Sequence, residues 1–335
     1  MSPASLMRGA GVAVLTVMAA LALFASVLAP NPPGQQFANR AYAPPMRVQM
    51  HDAAGWHAPF VRRQVLEDRL RRRFAVAEPV ALHWFSHGTF VSVADPDGPL
   101  LLLGADALGR DVLSRVLYGA RLSLGVSLAG VAGALLIGAI IGGLAGTLGG
   151  RIDGALMFVA DFILVLPAAY LVLVLRASLR PVLTTPVVFG VMAAMFAFAA
   201  WPHVARGVRA IVAGERRCDY AEAARAAGAG PVRLMWQLLP ASRSFLLVEC
   251  VLLIPALLAA EATISFLGLG FSEPTPSWGT MLSDAASVSL MTEAPWILTP
   301  AVLLFLVVLA VQLVAGDAAP AGTLLVDRAA RQVRT

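Results

Sequence analysis

Long apolar runs separated by polar stretches dominate the chain. The first extends from Gly9 to Ala29 and stops at Pro30-Asn31-Pro32-Pro33; at about 20 residues it matches a hydrocarbon core roughly 30 Å thick. Five more follow, near Arg121 to Leu148, Ala155 to Leu175, Val182 to Val204, Phe245 to Gly268 and Ile297 to Ala315. Hydrocarbon offers the backbone no water, so each run must satisfy its amides internally and form a helix. The pattern predicts an all-α polytopic membrane fold of six transmembrane helices, with a long loop after the first and a second polar loop between the fourth and fifth. The first run, within 1–30, reads as a retained anchor. Val27 and Ala29 would suit a signal-peptidase site, but the run exceeds the usual h-region and Pro30 would follow the cut.

Inside the polar segment 31–118, Val61, Val65, Leu66, Leu70 and Phe74 recur at helical spacing, with Arg62, Arg63, Glu67, Asp68, Arg69, Arg71, Arg72 and Arg73 between them. That stripe predicts a short amphipathic helix with a solvated charged face. The second run carries Gly125, Gly130, Gly133, Gly138, Gly142, Gly143 and Gly146, intervals that let another helix approach closely. No internal repeat joins the six runs, which argues against an inverted-repeat carrier.

Composition fixes the class that the pattern suggests. Hydrophobic residues make up 59% and charged residues 13%, and the mean hydropathy is +0.77, well outside the soluble globular range. All 25 basic residues are arginine, and they flank the apolar runs rather than covering a soluble basic face, which excludes a nucleic-acid reader. Arg206, Arg209, Arg216, Arg217, Arg225, Arg233 and Arg243 crowd the stretch between the fourth and fifth runs against Glu215, Asp219 and Glu222, so this short loop belongs in the cytoplasm. Counting runs in both directions puts both termini there and leaves 31–118 outside, where its length exempts it from the charge rule. Cys218 and Cys250 stand alone, without disulfide or metal spacing. His83 and His87 lie four apart with no carboxylate or thiolate to complete a site, so no metal is expected. Neither a phosphate-binding glycine loop nor a nucleophile and base set occurs, so the chain is not expected to be an enzyme.

Three stretches carry the functional argument. In the second polar loop, Asp219-Tyr220-Ala221-Glu222-Ala223-Ala224-Arg225-Ala226-Ala227-Gly228-Ala229-Gly230-Pro231 precedes an apolar run that ends at Leu239-Pro240. Alanine favours helix and the Gly-Pro stretch breaks it, so two short helices should meet at a bend. Residues alone leave open whether the bend docks a partner or folds onto its own membrane domain. Ahead of the second run, Gly104, Asp106, Gly109, Arg110, Asp111 and Arg115 form a polar signature; its charges recur at helical spacing and suit either pairing among themselves or a contact outside. Between the last two runs stand Ser265-Phe266-Leu267-Gly268-Leu269-Gly270 and Pro274-Thr275-Pro276-Ser277-Trp278-Gly279. Asp161, Glu249 and Glu261 fall in or near apolar runs, where a carboxylate is a functional candidate by default.

Together these stretches resemble the binding-protein-dependent ABC permeases, in the branch that supplies the second permease of dipeptide, oligopeptide and nickel importers. Glu222-Ala223-Ala224, then Gly228, then Leu239-Pro240 is similar to that family's EAA loop, although the spacing from Gly228 to Pro240 is one residue short. The resemblance implies that Glu222, Ala223, Ala224, Gly228, Leu239 and Pro240 contact an ATPase. It implies a periplasmic or gating role for Gly104, Asp106, Gly109, Arg110, Asp111 and Arg115, while Asp161 and Glu261 stay intramembrane polar candidates on their position alone. It also implies an organisation of anchor 1–30, periplasmic segment 31–118, permease core 119–317 with the EAA-type loop at 205–243, and cytoplasmic tail 318–335. The expected partners are a homologous permease, two cytoplasmic ABC ATPases and a periplasmic solute-binding protein in the bacterial inner membrane. The chain itself would bind no cofactor; ATP and Mg would be used by the ATPases. The competing reading is a stand-alone secondary carrier driven by an ion gradient, with Asp161 and Glu261 as its proton relay.

Overall fold

The computed structural model describes residues 3–52, 55–68, 72–86, 88–93, 98–166, 184–286 and 292–315. Its elements run α1 (Pro3–Leu23), α2 (Ala25–Leu28), β1 (Gln49–Asp52), β2 (Gly55–Asp68), β3 (Arg73–Ser86), β4 (Thr89–Val93), α3 (Val112–Leu148), α4 (Gly150–Val165), α5 (Thr185–Glu215), α6 (Asp219–Ala226), α7 (Pro231–Leu238), α8 (Arg243–Phe266), α9 (Trp278–Asp284) and α10 (Thr299–Ala315). Among the described residues five helical stretches are long and apolar enough to cross a membrane: Ser5–Leu23, Val112–Leu148, Thr185–Glu215, Pro231–Phe266 and Pro295–Ala315. The run expected from Ala155 to Leu175 begins in α4, and its part beyond Leu166 lies outside the described residues, as do Pro167, His87, Arg69, Leu70, Arg71 and the tail 316–335.

The chain divides into two compact units, Met1–Ala13 with Val126–Ala260 and Val308–Thr335, and Val14–Gly125 with Glu261–Val307. In the first, glycines on α3 admit α5 at close range. A Cβ on Gly138 would lie 2.5 Å from Cβ of Val204, and one on Gly146 would lie 2.9 Å from the Arg209 carbonyl oxygen. Real Cβ atoms do not approach so closely, so the glycines are what lets the two backbones meet. Ala160 and Ile163 of α4 pack with Trp201 and Ala205 of α5. Two ion pairs reinforce that seam: the Arg209 guanidinium reaches Asp153 Oδ2 at 2.5 Å, and Arg206 pairs with Asp161.

In the second unit, Ala25 and Ala29 pack on Leu117, and the segment 49–93 folds into a four-stranded antiparallel meander in the order β1-β2-β3-β4. This corrects two expectations: the fold is mainly helical but not all-α, and the stripe from Val61 to Phe74 is not a helix. Val61 pairs with Val80 and Leu66 with Phe74 across β2 and β3. The register slips between Arg62 and Gln64, where the stretch from Val76 to Pro79 on β3 carries the extra residue. Along β2, Phe60, Val61 and Gln64 are buried while Val65 is exposed. The inner face, with Val61, Leu82 and Val91, closes over Ala43, Met46, Leu100 and Leu101.

Candidate functional site

The loop between α5 and α8 folds as two short helices around a glycine bend. Helix α6 ends in a Schellman motif: the Ala229 amide donates to the Ala224 carbonyl at 3.0 Å, the Gly228 amide donates to Arg225 at 2.9 Å, and Gly228 takes φ +83°. A left-handed residue at this position suits glycine. Helix α7 then starts with Pro231 at its first position, where the missing amide hydrogen costs nothing. The inward face is apolar: Ala221, Leu234 and Leu238 pack on Val204, Val208 and Val212 of α5, with Ala224 and Leu239 at the margin. Arg225 donates to the Arg216 carbonyl at 3.2 Å and so ties α6 to the end of α5.

The outward face is unusual for a surface. Trp236 is 60% exposed, and Val232 and Tyr220 are exposed beside the bend. Glu222 points to solvent, with Arg225 at 3.6 Å. Ala223 and Pro240 are exposed as well. Tyr220 donates its hydroxyl to Glu215 Oε2 at 2.6 Å, and that bond, then burial, pushes the phenol up to about 12, so it stays protonated at any working pH. Sequence reasoning chose Glu222, Ala223, Ala224, Gly228, Leu239 and Pro240 and missed Tyr220, Val232 and Trp236. Their signal was present as apolar positions that fall on the helix faces opposite Ala221, Leu234 and Leu238.

The polar signature folds in the opposite sense. Gly104 and Gly109 each take φ +74°, and the Asp106 carboxylate accepts the amides of Leu108 and Arg110, both at 2.9 Å, closing the turn before α3. The Trp296 indole donates to the Ala105 carbonyl at 3.0 Å. Asp111 caps the start of α3, accepting from the Leu113 amide at 3.1 Å, from the Ser114 hydroxyl at 2.5 Å and from Asn31 Nδ2 at 3.1 Å. Its burial pushes the carboxyl up to about 6, against the pull of those donors.

Arg110 and Arg115 are buried almost completely. Arg110 Nε donates to Asp106 Oδ2 at 2.7 Å, its fork meets Glu273, and Asp284 lies 3.6 Å away. Arg115 reaches Glu273 Oε1 at 2.7 Å and Asp106 at 3.4 Å. Burial pushes the Glu273 carboxyl up, but hydrogen bonds and charge from Arg110 and Arg115 outweigh it and hold the group below the ordinary carboxylate value. Asp284 goes the other way, raised by burial and by the Glu273 charge. Asp106, Arg110 and Arg115 thus pair with one another as one of the two readings expected, but Glu273 and Asp284 complete the set. No local spacing could have found them, because Arg110 and Glu273 are 163 residues apart.

Glu261 is wholly buried. The Ser265 hydroxyl donates to it at 2.8 Å, and the hydroxyls of Ser123 and Ser277 face it too. Each of these oxygens accepts a backbone amide, from Phe271, Trp278 and Thr280 at 3.2, 3.1 and 3.2 Å. Each hydroxyl accepts that amide on one lone pair and still has its proton to donate to the carboxylate. Glu261 therefore gathers α3, the loop after α8 and the start of α9. Asp161 pairs with Arg206 of α5.

Among known proteins, the model of the family described as binding-protein-dependent transport system inner membrane component matches residues 134–318. The chain is 39% identical over 218 residues to the di/tripeptide transport system permease protein DppC of Pseudomonas aeruginosa, covering 64% of this chain and 69% of that one. It is 38% identical over 217 residues to the nickel transport system permease protein NikC of Escherichia coli, covering 64% and 76%. With the dipeptide transport system permease protein DppC of Bacillus subtilis the identity is 35% over 207 residues, covering 62% and 57%.

Proposed function

The chain belongs to the family of binding-protein-dependent transport system inner membrane components, and from that premise we propose that it is the permease subunit of an ATP-driven importer moving peptides or related small solutes from periplasm to cytoplasm. It works as a heterodimer with a homologous permease, served by two cytoplasmic ATPases and a periplasmic solute-binding protein. Six membrane helices, the third starting in α4, put both termini in the cytoplasm and 31–118 outside.

The observation that carries this reading is the two-sided helix pair α6–α7. Its inner face is anchored in a fully buried apolar core, while Tyr220, Val232 and Trp236 stand in solvent around a glycine bend. An exposed apolar patch on a rigid pair of helices is the surface a partner's groove would cover. Glu222, Ala223 and Gly228 are exposed beside it, Ala224 lies at the margin of the inner face, and Leu239 and Pro240 join the pair to α8. ATP-driven closure of the partner ATPases is passed through this pair to α5 and α8, which it grips, and biases the permeases between two states of different solute affinity. The ion cluster of Asp106, Arg110, Arg115 and Glu273 holds the outer loops in register during that change.

The test is affinity capture of the tagged chain from detergent, with mass spectrometry of what accompanies it. Wild type should bring down two ATPases and a second permease. Gly228→Pro, which cannot adopt a positive φ, should lose the ATPases and keep the second permease. Trp236→Ala, which alters only an exposed side chain, should weaken ATPase capture without loss of folded chain. Capture of the chain alone, intact and folded, would instead favour a carrier working by itself.

A further inference from the structure

The sheet β1–β4 has no task in the sites above, and its outward residues are chemically odd. Strand β2 begins where β3 ends in their antiparallel pairing, so the pairs Asp52–Gly55 and Ser86–Thr89 lie at one end of the sheet. Aromatic rings gather at that end. Phe90 stands edge-to-face with Trp84 at 5.5 Å and with Phe85 at 5.2 Å. Trp56 is 81% exposed and Phe85 77%, so these rings are not there to fill a core. The opposite end is already fastened: Arg72 lies over the Tyr42 ring at 4.4 Å and pairs with Glu293 at 3.5 Å. A cluster of exposed aromatics at the free end of a sheet marks a surface that something covers.

What the sheet packs against indicates the cover. Strand β4 packs on α2, the short continuation of α1. The apolar stretch of α1, Ser5–Leu23, has 19 residues and at 1.5 Å per residue rises roughly 28 Å, close to the thickness of the hydrocarbon core. Helix α2 therefore stands where hydrocarbon gives way to headgroups. Leu23, Phe24 and Val27 at that level are apolar and exposed, continuing the lipid-facing side of the helix to its end. Strand β3 is one strand from β4, about 4.8 Å away, with Trp84 paired to Val91, so Trp84 and Phe85 lie one strand's width from the strand that packs on α2. Tryptophan, with an apolar ring and one N–H donor, prefers this layer to either neighbour.

We propose that the end of the sheet formed by Trp56, Trp84, Phe85 and Phe90 is a lipid-binding surface that rests in the headgroup layer of the bilayer beside the first membrane helix. It holds the outer segment against the membrane and requires only that α1 crosses it; the coupling role of α6 and α7 is not involved.

The experiment uses the full chain with Cys218→Ser and Cys250→Ser, reconstituted in vesicles of phosphatidylethanolamine and phosphatidylglycerol. Single cysteines replace Phe85 or, in a separate variant that leaves the β3–β4 turn untouched, Trp56, and each carries a polarity-sensitive bimane. Both probes should show blue-shifted emission, quenching by lipids bearing a nitroxide near the headgroup, and loss of quenching by aqueous iodide. A probe at Val76, exposed on β3 towards the fastened end, should remain open to iodide. A probe at Phe24 reports separately whether α1 faces lipid. Lipid quenching at Phe24 with iodide quenching at Phe85 and Trp56 equal to that at Val76 overturns the proposal and leaves the membrane reading standing. Shielding that appears only on adding a periplasmic binding protein, or only at high protein-to-lipid ratio, overturns it in favour of a protein partner or a second copy. A Phe24 probe without lipid quenching removes its premise.

Discussion

The helix pair 219–238 and the loop cluster drawn from 104–115 and 273–284 both interrupt an apolar chain with polar residues, yet they place those residues in opposite ways. In the helix pair the charges are outside and local: Glu222 and Arg225 are neighbours on one helix, and both are exposed. Apolar side chains share that outer surface. In the loop cluster the charges are inside and remote, with Arg110 and Arg115 buried and reaching Glu273 from across the sequence. An exposed ion pair contributes roughly 0–1 kcal/mol, whereas a buried charge that loses its partner costs several times as much. The first region is therefore a surface, where substitution should change binding and spare the fold. The second is a fastening, where substitution should change the fold first.

The largest effect that could break this contrast is expected at Arg115. Arg115→Ala leaves Glu273 and Asp106 with one guanidinium between them and should destabilise the protein by about 3–5 kcal/mol, read as a fall in unfolding temperature of the purified chain in detergent. Arg115→Met combined with Glu273→Gln removes charge from both sides and should recover much of that loss. If the double variant is as unstable as the two single losses added together, the cluster is not a coupled unit and the contrast with the helix pair fails.

Asp111 sharpens the same contrast through pH. Its folded pKa of about 6 lies above the ordinary 3.8, so the folded state holds its proton more tightly than the unfolded chain does. The stability it contributes is complete below about 4 and is lost as pH rises through about 6; two pKa units correspond to about 3 kcal/mol. Glu273 is shifted in the opposite direction, and its contribution is lost only as pH falls below the ordinary carboxylate range. Asp111→Asn keeps an oxygen to cap α3 and should flatten the dependence of unfolding temperature on pH between 4 and 6 while leaving the acid limb in place. Parallel curves for the two proteins would show that the capping carboxylate is not what titrates.

How far each region was legible follows from the same physics. The apolar runs, the glycines of α3 and the break at Gly228 depend on residues close together in sequence, and local propensity reads them. Glu273 and Asp284 could not be joined to Arg110 in that way, since only the folded chain brings them together. The sheet was misread for a different reason. The ladder slips between Arg62 and Gln64 and again between Leu66 and Asp68, and the buried positions Phe60, Val61 and Gln64 do not keep the spacing of two by which a strand is read. Trp236 and Val232 were visible but went unused, since an apolar residue in a membrane protein draws no notice until its partners on the same helix are seen to be buried.

The smallest effect concerns the bend itself, and it separates fold from surface within the helix pair. Nothing lies within 4 Å of a Cβ placed on Gly228, so Gly228→Ala meets no clash and its cost is only the left-handed backbone, about 1 kcal/mol. Asparagine tolerates that conformation better than alanine, so Gly228→Asn should lose less, and unfolding temperature should rank wild type above asparagine above alanine. Because Gly228 is exposed and its amide bonds to Arg225 are within the motif, ATPase capture should follow the same rank if the bend acts by shaping α6 and α7. Should capture fall equally for both variants while stability ranks as expected, the glycine surface itself is touched by the partner, and the helix pair would owe its function to close approach rather than to the angle between its helices.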